Sequence, residues 1–244
     1  MDDKQSAAVS LLGGRQSRTE RSHAALESFV RGSSWAHDVS EDTLDDLLAA
    51  TSVRELTAGE VLCRQGEPAT HWYGIMRGLL RQDTLCRDGT VTSLTAGPMG
   101  TWFGEATLLL HEARRYEISA MRDSRVACVG AAAFRRAFDE SAAFNAAISR
   151  SLSTRLDFYI DLFADQRRLD VERRVARILI TLVGHDRHGP HLQLDVTQDE
   201  LAGLAGVSRQ RVSQALHQLQ SHGLIKLAYS SVTVLDLAGL GSAC

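Results

Sequence analysis

The chain has 244 residues, 44% of them hydrophobic, and a formal net charge of −3. This length suits two domains, and so even a charge balance advertises neither a nucleic-acid nor a membrane partner by itself. No apolar run approaches the ~18 residues of a membrane span, and Met1-Asp2-Asp3-Lys4 lacks the basic and apolar regions of a signal peptide, so the expectation is a cytoplasmic protein. Cys63, Cys86, Cys128 and Cys244 form no C-x-x-C pair and read as reduced thiols, the first three as small core residues of strands.

In chain order, residues 1–22 read as a flexible arm. Ala24–Val30 is a short helix. A second helix starts at Ser40, which caps it, and buries Leu44, Leu47 and Leu48. From Thr51 to Val129, glycine-punctuated β segments predict an antiparallel barrel or jelly roll, with Asp88-Gly89 as its strongest hairpin signal. Near its end, Phe103-Gly104-Glu105 reads as a strand, a glycine turn and the start of a short helix. Ala131–Phe138 is helical. A longer helix runs from about Ser141 to Arg167, with a stripe of Ile148, Leu152, Leu156, Tyr159 and Phe163 that suits a parallel dimer; packing within one subunit is the alternative. Leu169-Asp170 reads as a hinge before the helix Val171–Val183, which buries Val175, Ile178, Leu179 and Leu182. The histidines of the loop Gly184–Pro190 and His191 read as a solvated linker rather than a metal site. The resulting division is an arm (1–22), a β-roll with flanking helices (23–138), a dimer helix (139–168) and a C-terminal domain (169–244).

The densest signal runs from Thr197 to Leu227. Thr197 and Glu200 have the spacing of a capping box. Leu201, Leu204 and Ala205 face inward, and Gly206 permits a sharp turn. Ser208 offers an N-cap to a second helix, where Val212, Leu216 and Leu219 face inward and Gly223 ends the run. Arg209, Gln210, Ser213, Gln214 and His217 lie on the opposite face, with the donors and acceptors needed to read base edges in a major groove. This is the pattern of a helix-turn-helix whose second helix does the reading; an ordinary helical hairpin with a polar face is the alternative. Two short strands, Leu224–Leu227 and Val232–Leu235, flank Tyr229-Ser230-Ser231 as a wing, with Lys226 placed for phosphate contact. The candidate DNA-contacting residues are Thr197, Ser208, Arg209, Gln210, Arg211, Ser213, Gln214, His217 and Lys226. No H-x-H pair, nucleophile elbow, P-loop or H-E-x-x-H occurs, so the chain does not read as an enzyme.

In this order of elements the chain resembles the CRP/FNR regulators of bacteria over about residues 40–236. The most specific segments are Phe103-Gly104-Glu105 with Arg114 downstream, Leu169-Asp170-Val171-Glu172-Arg173-Arg174-Val175-Ala176, and Val207-Ser208-Arg209-Gln210-Arg211-Val212-Ser213. The resemblance implies an α+β fold: an N-terminal β-roll like a cyclic-nucleotide-binding domain, a long dimerisation helix and a C-terminal winged helix-turn-helix. It also implies a homodimer on palindromic double-stranded DNA that works with RNA polymerase. Its base-reading positions fall on Arg209, Gln210 and Gln214. The latter two depart from the common Glu and Arg and shift the expected operator away from that of the cyclic-AMP receptor protein.

The resemblance places an effector pocket at Phe103, Gly104, Glu105, Arg114, Arg115, Tyr116, Tyr159 and Ile160. In cyclic-nucleotide binders the glutamate meets the ribose, and an Arg followed by Ser or Thr and then Ala grips the phosphate. Here Arg115 and Tyr116 follow Arg114, and Tyr159-Ile160 replace the adenine-contacting Thr-Ser pair, so the expectation is against cyclic-AMP control. No cysteine precedes Cys63, which argues against an iron–sulfur cluster. A haem would have His71, His111 and Cys86 as available ligands. The effector and the sign of regulation stay open at this stage.

Overall fold

The structure, a computed structural model, describes residues 21–168, 170–184 and 192–243. After α1 (21–31) and α2 (Glu41–Ala49), the glycine-punctuated segments fold into eight strands. These are β1 (Thr51–Leu56), β2 (Val61–Cys63), β3 (His71–Arg77), β4 (Leu79–Leu85), β5 (Val91–Pro98), β6 (Trp102–Phe103), β7 (Glu117–Ala120) and β8 (Ser124–Gly130), with α3 (Glu105–Leu110) between β6 and β7. They form two four-stranded antiparallel sheets, ordered β1-β8-β3-β6 and β2-β7-β4-β5. Gly78 links β3 to β4 at φ +96°, and a Cβ there would lie 2.2 Å from Ser124 Oγ. Only glycine serves both the turn and the close approach.

Two cores hold this roll. Leu56, Leu62, Cys63, Tyr73, Ile75, Phe103, Ile118 and Cys128 fill the space between the sheets. The outer face of the first sheet is covered by α1, α2, α4 (Ala131–Glu140) and the start of α5 (Ala142–Arg168). Aromatic rings dominate this second core: Trp72 lies 4.2 Å from Trp102 and 5.2 Å from Phe134 between centroids, and Trp35 meets Phe144 at 5.5 Å. Trp102 Nε1 donates to Ser33 Oγ at 2.9 Å, so its one polar atom is satisfied despite burial.

Asp170 caps α6 (Val171–Val183), accepting from the Arg173 backbone at 3.0 Å. Then come β9 (Leu192–Leu194), α7 (Gln198–Ala205), α8 (Arg209–Ser221), β10 (Ile225–Ala228), β11 (Ser231–Val234) and α9 (Leu237–Ala243). The last three strands pair in the order β10-β11-β9. Val175, Leu179, Leu201, Val212, Leu216, Leu219, Ile225, Val234 and Leu240 form their common core. Ala96 of β5 and Met121 after β7 are buried in that same core, so the winged helix and the β-roll are packed together.

Several expectations need correction. Residues 21–22 of the expected arm are already helical; the rest of it, Leu169 of the expected hinge and the loop histidines lie outside the described residues. Cys86 is exposed, because β4 ends one residue before it and its amide joins the Asp88-Gly89 hairpin loop; Cys63 and Cys128 are buried as expected. The long-helix stripe is divided. Ile148 is fully buried within its own subunit and Leu152 packs beside that core, so Ile148 has no surface left for a partner. Among the described residues no helix is long and apolar enough to cross a membrane.

Candidate nucleic-acid interface and effector cavity

The helix-turn-helix is built as its local sequence predicts. Thr197 Oγ1 accepts from the Glu200 amide at 3.2 Å, and Glu200 Oε2 accepts from the Thr197 amide at 2.7 Å, which completes the capping box. Gly206 turns the chain at φ 64°. Ser208 stands at the N-cap of α8 with extended backbone, but its hydroxyl makes no capping bond, contrary to the sequence expectation. Val212, Ala215, Leu216 and Leu219 anchor α8. Arg209, Gln210, Arg211, Gln214 and His217 are exposed on its other side, and Ser213 is half-buried. His217 Nδ1 lies 2.7 Å from the Ser213 carbonyl, so this ring is folded back onto its own helix. After α8, Gly223 adopts φ 73°, and the Leu224 amide donates to the Leu219 carbonyl, closing the helix as a glycine cap does.

Beside α8, the wing and the start of α7 enclose a concavity of about 430 Å³ lined by Thr197, Gln198, Asp199, Arg209, Tyr229 and Ser230 among others. Tyr229 is wholly exposed at the hairpin tip, and Ser230 takes the turn with φ 55°. Lys226 is exposed on β10. Arg209 is held by Asp199 at 3.2 Å, a pairing that its place on α8 did not announce.

The β-roll has a cavity of about 560 Å³ between its sheets and α5, lined by Gln82, Phe103, Thr154, Arg155 and Tyr159 among others. Of the groups expected to serve it, Phe103 and Tyr159 line it, and Glu105, Arg114 and Arg115 have partners of their own. Glu105 is 99% buried and its cationic partner is Arg155 at 3.1 Å, not Arg114. Burial raises the Glu105 carboxyl above its ordinary range, against the pull of Arg155. Tyr116 packs against the inter-sheet core; burial, helped by the Glu105 charge, pushes its hydroxyl up to about 12. Tyr159 donates to Gln82 Oε1 at 3.2 Å. Arg115 projects outward to Glu112 at 2.9 Å. Arg114 is buried with its guanidinium 4.9 Å from the Tyr73 ring centroid, and it donates to the His71 carbonyl at 3.1 Å. It lines a separate polar cavity with His71, Cys63 and Cys128. Ile160 is exposed between Leu156 and Phe163 and does not line its own subunit's cavity.

Residues 53–141 match the model of the cyclic nucleotide-binding domain, and residues 173–243 that of the Crp-like helix-turn-helix domain. The transcriptional regulator LdrP of Thermus thermophilus is 31% identical over 186 residues, covering 74% of this chain and 91% of that one. The chain belongs to the CRP/FNR family of transcriptional regulators. The cAMP-activated global regulator Vfr of Pseudomonas aeruginosa is 27% identical over 201 residues, which is 78% of this chain and 92% of Vfr. The solved structure of the c-di-GMP responsive regulator CLP of Xanthomonas campestris superposes with a TM-score of 0.62 at 25% identity, covering 80% of this chain and 99% of that one.

For this CRP/FNR protein, reasoning from sequence missed Arg155. Its signal was present: a cation four residues before Tyr159, on the helix face turned to the roll. The three haem-ligand candidates are spread over separate elements. His71 is half-buried on β3 beside Thr70 Oγ1 at 2.9 Å, Cys86 is exposed after β4, and His111 is exposed after α3.

Proposed function

We propose that this transcriptional regulator acts as a homodimer on a palindromic operator and that its β-roll does not respond to cyclic AMP. The reading of DNA is assigned to Arg209, Gln210 and Gln214 on base edges, with Thr197, Ser208, Arg211, Ser213, His217 and Lys226 on the backbone or at the margins. The carrying observation is the polar face of α8: Arg209, Gln210, Arg211 and Gln214 stand exposed on a helix whose other face is fixed by a core, with Arg209 meeting only an exposed carboxylate, Asp199, at that face. An arginine there matches guanine O6 and N7 as a fork, and glutamine matches adenine N6 and N7. Ser208, free of any capping bond, has its hydroxyl available for a phosphate.

The dimer seam is Leu156, Ile160 and Phe163, which are 60%, 55% and 60% exposed and recur at helical spacing along α5. Tyr159, placed in the seam from sequence, instead faces the roll, and Leu152 lies at the seam's inner end. The two-fold puts the recognition helices about one turn of DNA, roughly 34 Å, apart. A state of the β-roll passes to them through α5 and the hinge at Asp170, as a rigid-body change, and the bound dimer recruits or blocks RNA polymerase. A regulator of this kind works in the cytoplasm.

Against cyclic AMP stand the engagement of Glu105 by Arg155, the turning of Arg114 to the His71 carbonyl, and the packing of Tyr116 against the inter-sheet core. Vfr and CLP carry different nucleotide effectors in their names, so the family fold does not fix the ligand. Selection from random DNA tests the reading directly: it should return a palindrome distinct from the site of the cyclic-AMP receptor protein. Recovery of that receptor's site, or of no site, contradicts it.

A further inference from the structure

The winged helix meets the β-roll through a contact in which the long helix takes no part. Arg122 lies in the turn between β7 and β8, and its guanidinium forks onto Glu200, Nη1 to Oε1 at 2.7 Å and Nη2 to Oε2 at 2.8 Å. Nη2 also donates to the Asp195 carbonyl, and Nη1 to the Met121 carbonyl. Glu200 is the carboxylate that closes the capping box, accepting from the Thr197 amide at 2.7 Å and the Thr197 hydroxyl at 2.9 Å. One carboxylate thus ties the start of α7 to its own cap and to the roll at once. The pair is part-buried, and Met121 and Ala96 are buried in the winged-helix core.

A fork of this kind fixes orientation as well as distance, because two parallel N–H···O bonds allow little rotation. It also leaves the reading face of α8 uncovered: Arg209, Gln210, Arg211 and Gln214 are exposed while the contact is made. A contact that shut off DNA binding would have to bury those side chains. This one grips the helix that supports α8 and leaves α8 open.

We propose that Arg122 is a positioning residue for DNA recognition, a second tie beside the α5–α6 hinge that holds each recognition helix at the angle the operator requires. The proposal rests on the reading of Thr197–Leu227 as the DNA-binding motif. Its physical content is a population. The apparent affinity is the intrinsic affinity scaled by the fraction of molecules whose winged helix is correctly set. Without the fork the winged helix is held to the roll by the packing of Ala96 and Met121, which fixes its angle less tightly, and that fraction falls.

The test uses the full-length protein on its selected operator, with Arg122→Gln and Arg122→Lys beside the wild type. Arg122→Gln should bind about tenfold more weakly, as a fall of the competent fraction to roughly one in ten dictates, and Arg122→Lys should lie between. Sedimentation and the slope of log affinity against log salt should match the wild type, because Arg122 touches no phosphate. Equal or tighter binding by Arg122→Gln overturns the proposal. So does a salt slope smaller by about one, the mark of a lost phosphate contact. Failure of the wild type to bind any selected duplex would instead overturn the DNA-binding reading on which the proposal stands.

Discussion

The two functional regions of the molecule treat their polar side chains in opposite ways. On the reading face of α8 they are held out to solvent, Gln210, Arg211 and Gln214 exposed beside Arg209, which meets Asp199, and His217, which meets its own backbone. In the β-roll the corresponding groups are spent: Glu105 on Arg155, Arg114 on the His71 carbonyl and the Tyr73 ring, Tyr159 on Gln82, Arg115 on Glu112. In the output half, the proposed reading face stays exposed. In the input half, the side chains at the proposed effector contacts have partners within the protein.

The contrast breaks most visibly at the dimer seam. Leu156→Asp together with Phe163→Asp should leave a sedimenting monomer and weaken operator binding by roughly 100-fold or more, the avidity of a second half-site. A dimer of unchanged affinity would move the seam elsewhere. Next in size is the ion pair of the roll. Arg155→Ala strands a buried carboxylate, which should cost about 3–5 kcal/mol in chemical denaturation, whereas Glu105→Gln with Arg155 intact, itself only partly buried, should cost less. Equal, small losses would mean that the pair is not structural. On the output side, Arg209→Ala should lose about 10–100-fold on the operator and relax selection at one base, while leaving thermal stability unchanged.

The pH dependence follows from Glu200. Burial alone would raise its carboxyl, but the Arg122 fork and the Thr197 donors outweigh burial and hold it below the ordinary value of 4.5. A depressed acid stabilises the fold above its unfolded pKa, and that stability is lost as pH falls through the folded value. The wild type should therefore lose stability more steeply below pH 4.5 than Glu200→Gln does; parallel acid limbs would contradict the assignment. The smallest effect sharpens the comparison of two caps. Ser40 Oγ accepts from the Thr43 amide at 3.4 Å, and Ser208 makes no such bond. Ser40→Ala should cost about 1 kcal/mol of stability, and Ser208→Ala should cost stability little but weaken DNA binding.

The winged helix was legible because its determinants are local. Thr197 and Glu200 stand three apart, Gly206 follows the last buried residue of α7, and Val212, Leu216 and Leu219 repeat at helical spacing. The strands of the roll were legible through the glycines and the apolar runs between them. What escaped was decided by pairing across the fold. Glu105 meets Arg155 across the gap between α3 and α5, a pairing that the place of Arg155 four residues before Tyr159 only hints at, and Arg122 meets Glu200 across 78 residues, with nothing in the local sequence to announce it. The stripe on α5 misled for a related reason. Helical spacing shows that residues share a face, but not that Ile148 lies over the roll's aromatic core while Phe163 has passed beyond it.

The measurement that bears most directly on an exposed output face and an internally partnered input is the affinity of the wild-type protein for its selected operator, titrated with and without cyclic AMP and paired with calorimetry of the nucleotide. The account predicts one dissociation constant in both conditions and no heat of nucleotide binding at micromolar concentration. Micromolar binding that tightens the operator complex would contradict it.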